Sequence, residues 1–256
     1  MSRRSGRKTS SWTGNVTVVG YRELPPPRGL ADLIECQWMR TGPAAPSRVL
    51  PDGCMDLIRL DDELVVAGPD TTAFTACGSQ ESVQGLRFRP GVLPRLLGVP
   101  AVELRDTRTA VRELRTLRHD ATLEGLARTL VASSPCAQTA PWSLPVLHQI
   151  TRRLADGASV IEIARATGWS SRSLQRHCSA VYGYGPAQLR RILRFRRAMR
   201  LLQSGLAPAA VAAQAGYADQ PHLYREVRSL AGLPLRQLGN AANRSTEVPS
   251  GSSTVA

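Results

Sequence analysis

Two copies of one short pattern, at Gly168-Trp169 and again 48 residues later at Gly216-Tyr217, constrain this chain more than any other feature. In the first copy Ser159-Val160-Ile161-Glu162 reads as a capping box, the serine hydroxyl accepting from the first helical turn while the glutamate reaches back to the serine amide. A helix therefore starts there, carries Val160, Ile163 and Ala164, and stops at Gly168. Glycine takes the left-handed backbone that a tight turn between two crossed helices needs. Ser170 caps the next helix, Trp169 is placed to staple onto Leu174, and Leu174 and Cys178 point inward while Arg172, Gln175 and Arg176 point out.

The second copy uses Pro208 to Gln214 as supporting helix, Gly216-Tyr217 as turn and Asp219 as cap. Pro221 falls in the first turn, where a missing amide costs little. Its outward set is Gln220, His222, Tyr224 and Arg225. Leu174 and Leu223, like Arg176 and Arg225, lie 49 positions apart, so the second turn holds one extra residue.

Between the copies, Gly185-Pro186 opens a helix running to about Gln203 and closed by Ser204-Gly205. Leu189, Ile192, Phe195, Met199 and Leu202 share one face at helical spacing, and Arg190, Arg194 and Arg197 stripe another. Such a helix is about 25 Å long. With its turns it approaches the roughly 34 Å between successive major-groove segments on one side of B-DNA. One chain can then hold two probe helices a DNA turn apart, with arginine forks and glutamine amides that match guanine and adenine edges.

The charge sits where this reading needs it. The chain has net charge +13, and residues 141–240 carry 14 arginines against 4 acids, whereas residues 11–140 carry 14 bases against 15 acids. The first ten residues add +4. A positive field confined to the repeat and the N-terminal tail fits phosphate neutralisation, although a single basic helix face is often merely solvated.

The region from about Trp142 to Leu238 resembles the DNA-binding module of the AraC/XylS family of bacterial transcription regulators. The resemblance is carried by Ala164, Gly168, Leu174, Arg176, Gly185-Pro186, Ala198 and Leu201-Leu202, and by Val211-Ala212, Gly216-Tyr217, Asp219-Gln220, Leu223, Arg225, Gly232 and Pro234. It implies base reading by Arg172, Gln175 and Arg176 in the first half and by Gln220, His222 and Arg225 in the second. Ser170, Ser171, Arg190, Arg194, Arg197 and Tyr224 are the candidate phosphate contacts. Cys178 and Val227 stand where the family usually has Phe, and Arg236 to Leu238 lacks the usual aromatic.

Upstream, the expected fold is a small β-barrel or sandwich, making the whole an α+β chain with an all-α C-terminal module. Candidate strands are Val16 to Val19, Ala31 to Met39, Arg48 to Leu60, Leu64 to Ala67, Ala73 to Cys77 and Ser82 to Phe88, with Asp61-Asp62 as a hairpin turn. Leu93 to Leu97, Thr109 to Leu117 and Leu123 to Ala132 read as helices, the last two as a helical pair, and Leu144 to Asp156 opens the C-terminal module. The division expected is a disordered basic tail (1–13), a regulatory or sensor domain (14–135), a linker (136–141), a DNA-binding domain (142–240) and a disordered tail (241–256).

The phrases Leu50-Pro51-Asp52-Gly53-Cys54-Met55-Asp56-Leu57 and Gly85-Leu86-Arg87-Phe88-Arg89-Pro90-Gly91 are similar to an uncharacterised domain that often precedes AraC-type modules. That likeness implies a sensor role without naming a ligand. Candidate effector contacts are Trp38, Asp56, Arg87 and Arg89. Pro-Asp-Gly is also ordinary turn chemistry, and Arg87 and Arg89, which share a strand face by alternation, either bind a carboxylate or lie in solvent.

The five cysteines show no CxxC spacing and read as reduced thiols of a cytoplasmic, nucleoid-associated protein. No apolar run follows Arg3, Arg4 and Arg7 as a signal peptide would require, and no segment is apolar enough for a membrane span. His119, His148, His177 and His222 are scattered, so neither a metal nor a cofactor is expected. The partners expected are double-stranded DNA, RNA polymerase and a small-molecule effector, with the protein as monomer or homodimer. Two rivals to a sequence-specific, effector-responsive regulator are a nonspecific DNA-organising protein and a DNA-alkyl repair regulator using Cys136, whose Pro135-Cys136 is similar to such sites but lacks an activating histidine.

Overall fold

A computed structural model describes residues 20–42, 46–76, 82–115, 122–133 and 135–238. The expected strand Val16 to Val19, Cys77, His119 and both tails lie outside the described residues. An antiparallel sheet region occupies the N-terminal half and a helical region the C-terminal half.

Strands β1 (Gly20–Leu24), β2 (Ile34–Thr41), β4 (Met55–Leu60), β5 (Glu63–Ala67), β7 (Ser82–Phe88) and β8 (Arg108–Ala110) form one antiparallel sheet in the order β1-β2-β7-β4-β5-β8. Strands β3 (Ser47–Val49) and β6 (Phe74–Ala76) form a second. The expected run Arg48 to Leu60 is broken because Pro51-Asp52-Gly53 is a turn, in which Asp52 Oδ1 accepts from Cys54 N at 2.8 Å. β4 and β5 do form a hairpin over Asp61-Asp62, with Leu60 paired to Glu63.

Side chains alternate across a strand, so the large sheet has two distinct faces. One face carries Leu57, Val66, Leu86 and Phe88 into the main core, against α1 (Val92–Leu97) and α3 (Leu123–Val131). The other presents Trp38, Asp56, Ile58, Val65, Val83 and Arg87 to a cavity that β3 and β6 also line. The segment from Thr109 starts as strand β8 and becomes helical only over α2 (Val111–Leu114), a single turn packed on β5 and β8. α3 packs on α1, β4 and β7.

Six helices follow: α4 (Leu144–Ala155), α5 (Val160–Thr167), α6 (Ser171–Tyr182), α7 (Pro186–Gln203), α8 (Pro208–Gln214) and α9 (Gln220–Ala231). Among the described residues no helix is long and apolar enough to cross a membrane. The main core runs without a break from Leu30 in the sheet region through Leu147, Leu174 and Tyr182 to Leu189, Ile192 and Leu193 at the start of α7. A second core gathers Phe195, Ala198 and Met199 of α7 with α8, α9 and Leu50 of the sheet region.

The two regions are thus tied together at both ends of the helical array. Near the first unit, a 3-10 turn at Ala101–Glu103 packs on α6. Tyr184 Oη donates to Asp70 O at 3.1 Å and Arg105 donates to Gly183 O at 3.3 Å. Near the second, Ala73 N donates to Leu230 O at 2.7 Å and Arg48 Nε to Ala231 O at 2.6 Å. Between these contacts Arg196, on the buried side of α7, pairs with Glu35 of β2. Burial pushes the Glu35 carboxyl up, but Arg196 and Arg87 outweigh this and hold it below its ordinary value.

Both partners of that pair are shielded from water, so removing one leaves an uncompensated buried charge. Arg196→Ala is expected to lower stability by about 3–5 kcal/mol in urea unfolding. The apolar and neutral pair Arg196→Met with Glu35→Gln should recover most of the loss. A single-variant cost under about 1 kcal/mol would mean that the pair is worth no more than a surface bridge.

Candidate functional site

Each unit of the repeat is built by local chemistry. The capping box at Ser159 and Glu162 is closed in both directions, with Glu162 N to Ser159 Oγ at 3.2 Å and Ser159 N to Glu162 Oε2 at 2.6 Å. Ser170 accepts from Ser173 N at 3.1 Å and Asp219 from His222 N at 2.6 Å, which caps α6 and α9 as their residue types dictate. The turns repeat at the level of single bonds. Trp169 N donates to Ala164 O at 3.0 Å and Tyr217 N to Ala212 O at 2.9 Å. Gly168 and Gly216 precede them at φ 70° and 76°, a conformation that a Cβ would strain.

The aromatic after each glycine packs edge-on to a histidine of the following helix: Trp169 on His177 at 4.1 Å and Tyr217 on His222 at 5.2 Å. Trp169 also stands edge-on to Trp142, a partner that its spacing from Leu174 does not suggest. Leu174, Cys178, Leu223 and Val227 are buried.

On the outer surface, Ser170, Ser171, Arg172, Gln175, Arg176, Tyr224 and Arg225 are exposed, and Gln220 and His222 half-buried. The Gln175 amide lies over Gly185 at the start of α7. Gln220 donates to Tyr224 Oη, so these two polar groups are tied to each other along α9. Ala218 N donates to His222 Nδ1 at 3.3 Å, which leaves the neutral ring's proton on Nε2.

Arg190 and Arg197 are half-exposed on α7. Arg194, on the expected phosphate stripe, is engaged within the protein. Its guanidinium lies 4.5 Å from the Tyr217 ring centre, donates to Gly216 O at 3.4 Å and stands 3.6 Å from Glu226. Arg191, absent from the sequence reading, holds the same carboxylate at 2.8 Å and Ser229 at 2.8 Å. Partial burial pushes Glu226 up, but the Arg191 bond and the charges of Arg191 and Arg194 bring it below its ordinary value. This clamp fixes α9 on α7. Its signal in the sequence is that Glu226 is one of only 4 acids in residues 141–240, two of the others being the caps Glu162 and Asp219.

Residues 163–241 match the family model described as a helix-turn-helix domain, and residues 22–110 match a domain of unknown function (DUF6597). The chain carries an AraC-type helix-turn-helix domain. Its AraC-type module makes it a DNA-binding transcription regulator. Similar solved structures include the DNA-binding domain of AdpA in complex with a target DNA, at 22% identity over 39% of this chain and 91% of that one, TM-score 0.36. ToxT from Vibrio cholerae O395, bound to (E)-4-(8-methylnaphthalen-1-yl)but-3-enoic acid, is similar at 9% identity over 86% of this chain and 98% of that one, TM-score 0.45. The xylose-binding transcription activator xylR is similar at 14% identity over 51% of this chain and 35% of that one, TM-score 0.35. A comparison with curated proteins finds no match.

A second candidate site lies in the sheet region that precedes the AraC-type module. A cavity of about 470 Å³ is walled by Val49, Leu50, Ile58, Val65 and Phe74 and floored by Trp38, Asp56 and Arg87. Trp38 reaches Asp56 across β7, its Nε1 donating to Asp56 Oδ2 at 3.1 Å, because Gly85 between them has no side chain to obstruct the indole. Arg87 is 3% exposed and faces Glu23 at 3.0 Å and Asp52 and Asp56 each at 3.4 Å. Already overmatched by carboxylates, it is poorly suited to the carboxylate effector that its strand position suggested. Arg89 leaves the floor altogether, since β7 ends at Phe88 and Arg89 Nε donates to Ala31 O at 2.9 Å.

Burial raises the Asp56 carboxyl to about 6; Arg87 opposes the rise and Asp52 adds to it. The folded state therefore holds the Asp56 proton more tightly than the unfolded chain. The stability this provides is fully present below the ordinary carboxylate range and is lost as pH rises through about 6. Relative to Asp56→Asn, the wild type should lose on the order of 2–3 kcal/mol between pH 4 and pH 7.5. Unfolding measured across that range checks this, and parallel profiles for the two proteins would contradict it. On the DNA-binding side, Arg194→Ala should lower stability by about 1 kcal/mol and leave the salt dependence of DNA binding unchanged. Arg190→Ala or Arg197→Ala should instead flatten the slope of log K against log salt by about one.

Proposed function

We propose that this chain is a sequence-specific regulator of the AraC/XylS type, whose α6 and α9 enter successive major-groove segments and whose sheet region responds to a small molecule. The observation that carries the reading is the pair of capped helices with arginines outward, set on one shared helix. Arg172, Gln175 and Arg176 read bases from α6, and Gln220, His222 and Arg225 from α9. His222 offers its Nε2 proton to an acceptor on a base edge. Ser170, Ser171, Arg190, Arg197 and Tyr224 position the module on the backbone. At 18 residues α7 is about 27 Å long, which suits one turn of DNA. Residues 136–141 join a regulatory domain to the DNA-binding domain.

Responsiveness is supported by shared walls. Ser47 and Val49 of β3 line the cavity, and Arg48 between them holds the C-terminus of α9 through Ala231 O. Phe74 lines it too, next to Ala73, which holds Leu230 O. An occupant that moves either strand moves the grip on the second unit. RNA polymerase is the partner through which such a regulator acts.

Selection of bound fragments from the parent genome, followed by binding at fixed salt against competitor DNA, tests the reading. Arg176→Ala or Arg225→Ala should cost about 1–3 kcal/mol at the selected site and relax preference at one base position. Equal affinity for every sequence would favour a nonspecific DNA-organising protein instead. Cys136 is an exposed free thiol, so a mass increase after incubation with alkylated DNA would favour the repair reading.

A further inference from the structure

We propose that the cavity between the two sheets binds a small amphipathic cation, a protonated amine on an apolar or aromatic body, with its charge on Asp56 and its body against Trp38, Tyr21 and Phe74. The inference rests on the reading of this cavity as an effector site and names the class of molecule it takes.

Charge imbalance at the floor is the first ground. A single guanidinium, Arg87, faces the carboxylates of Glu23, Asp52 and Asp56, so this largely buried cluster has one cation against three anions, while Arg40 and Arg108 are the further guanidinium groups on the cavity lining. The other buried arginine nearby, Arg196, is committed to Glu35. Asp56 Oδ1 is fully buried and has no hydrogen-bond partner, and neither has Arg87 Nε, which stands 3.4 Å from it. A buried carboxylate oxygen whose one nearby cation makes no aligned hydrogen bond to it is costly, and an ammonium supplies both that bond and the missing charge.

The walls are the second ground. A cavity of about 470 Å³ falls within the roughly 300–1,000 Å³ usual for small-molecule sites. Tyr21 and Trp38 stand beside the acid with ring centres 6.0 Å apart, and aromatic faces attract a desolvated cation. Ile58, Leu60, Val65 and Val83 make the larger part of the remaining wall hydrocarbon, with Arg40, Ser47 and Thr75 as its polar members, which suits an apolar body. Among the described residues no group of acids, histidines and cysteines is arranged to hold a metal ion, so the imbalance is not that of a metal site. Arg108, at the cavity edge, is held by Asp70 at 2.8 Å and lies over Phe74, so it does not reach the floor.

The test uses the full chain at pH 7.5 and three probes of equal length: hexylammonium, hexanoate and hexan-1-ol. Calorimetry and thermal unfolding should show hexylammonium binding at least about tenfold tighter than either other probe and raising the melting temperature. Asp56→Asn should abolish that preference, and Ala76→Phe, which fills the cavity without changing charge, should weaken all binding. Stronger binding of hexanoate or hexan-1-ol, binding of none of the three, or a preference that survives Asp56→Asn would each overturn the assignment. DNA affinity with and without hexylammonium is measured in parallel. If the amine binds through Asp56 and DNA affinity does not change, the ligand class stands and the effector reading fails.

Discussion

Helix α7 belongs to two hydrophobic cores at once, and everything else in the DNA-binding half is positioned by that fact. Its first half buries Leu189, Ile192 and Leu193 with the sheet region and the first unit, and its second half buries Phe195, Ala198 and Met199 with the second unit. A helix that is only a spacer would keep one face apolar and the others wet. This one also sinks an arginine on its apolar side, which is tolerable only because Glu35 waits there with the opposite charge. The arginine ties the helix, and with it the spacing of the two units, to a particular strand of the preceding domain.

The sheet region places that tie beside the cavity. Alternation along β4, β5 and β7 sends Leu57, Val66 and Leu86 into the common core and Ile58, Val65 and Arg87 into the cavity, so the two compartments share the same strands back to back. The cavity side is closed by β3 and β6, and the residues beside its lining hold the end of α9 by main-chain and arginine hydrogen bonds. A shift of either strand therefore reaches the second unit through one bond. The first unit is held elsewhere, through the Ala101–Glu103 turn and Tyr184, and need not move with it.

Much of this was legible in the sequence because it depends on local chemistry. The caps at Ser159, Ser170 and Asp219, the turn glycines, the inward leucines and the β4–β5 hairpin follow from residue type and spacing alone, and the structure places them where spacing does. What pattern could not supply are pairings between distant segments. Arg194 and Arg197 look alike on a helical wheel, and only the fold brings Tyr217 and Glu226 up to one of them. Arg87 and Arg89 look alike on an ideal strand, but the strand stops between them. Two such pairings do leave a signal in the sequence: Arg196 continues the apolar spacing of Leu189, Ile192 and Leu193, and Glu226 is an acid set among arginines. Each marks a charge with a partner in another element.

In the proposed function one protomer sets two probe helices on the same side of the duplex, one helical turn apart. Guanine-methylation interference on the selected DNA site, at a concentration where sedimentation shows a single protomer bound, tests it most directly. The account predicts two patches of major-groove interference with centres about 10 base pairs apart. A single patch, or a second that appears only when a second protomer binds, would contradict it.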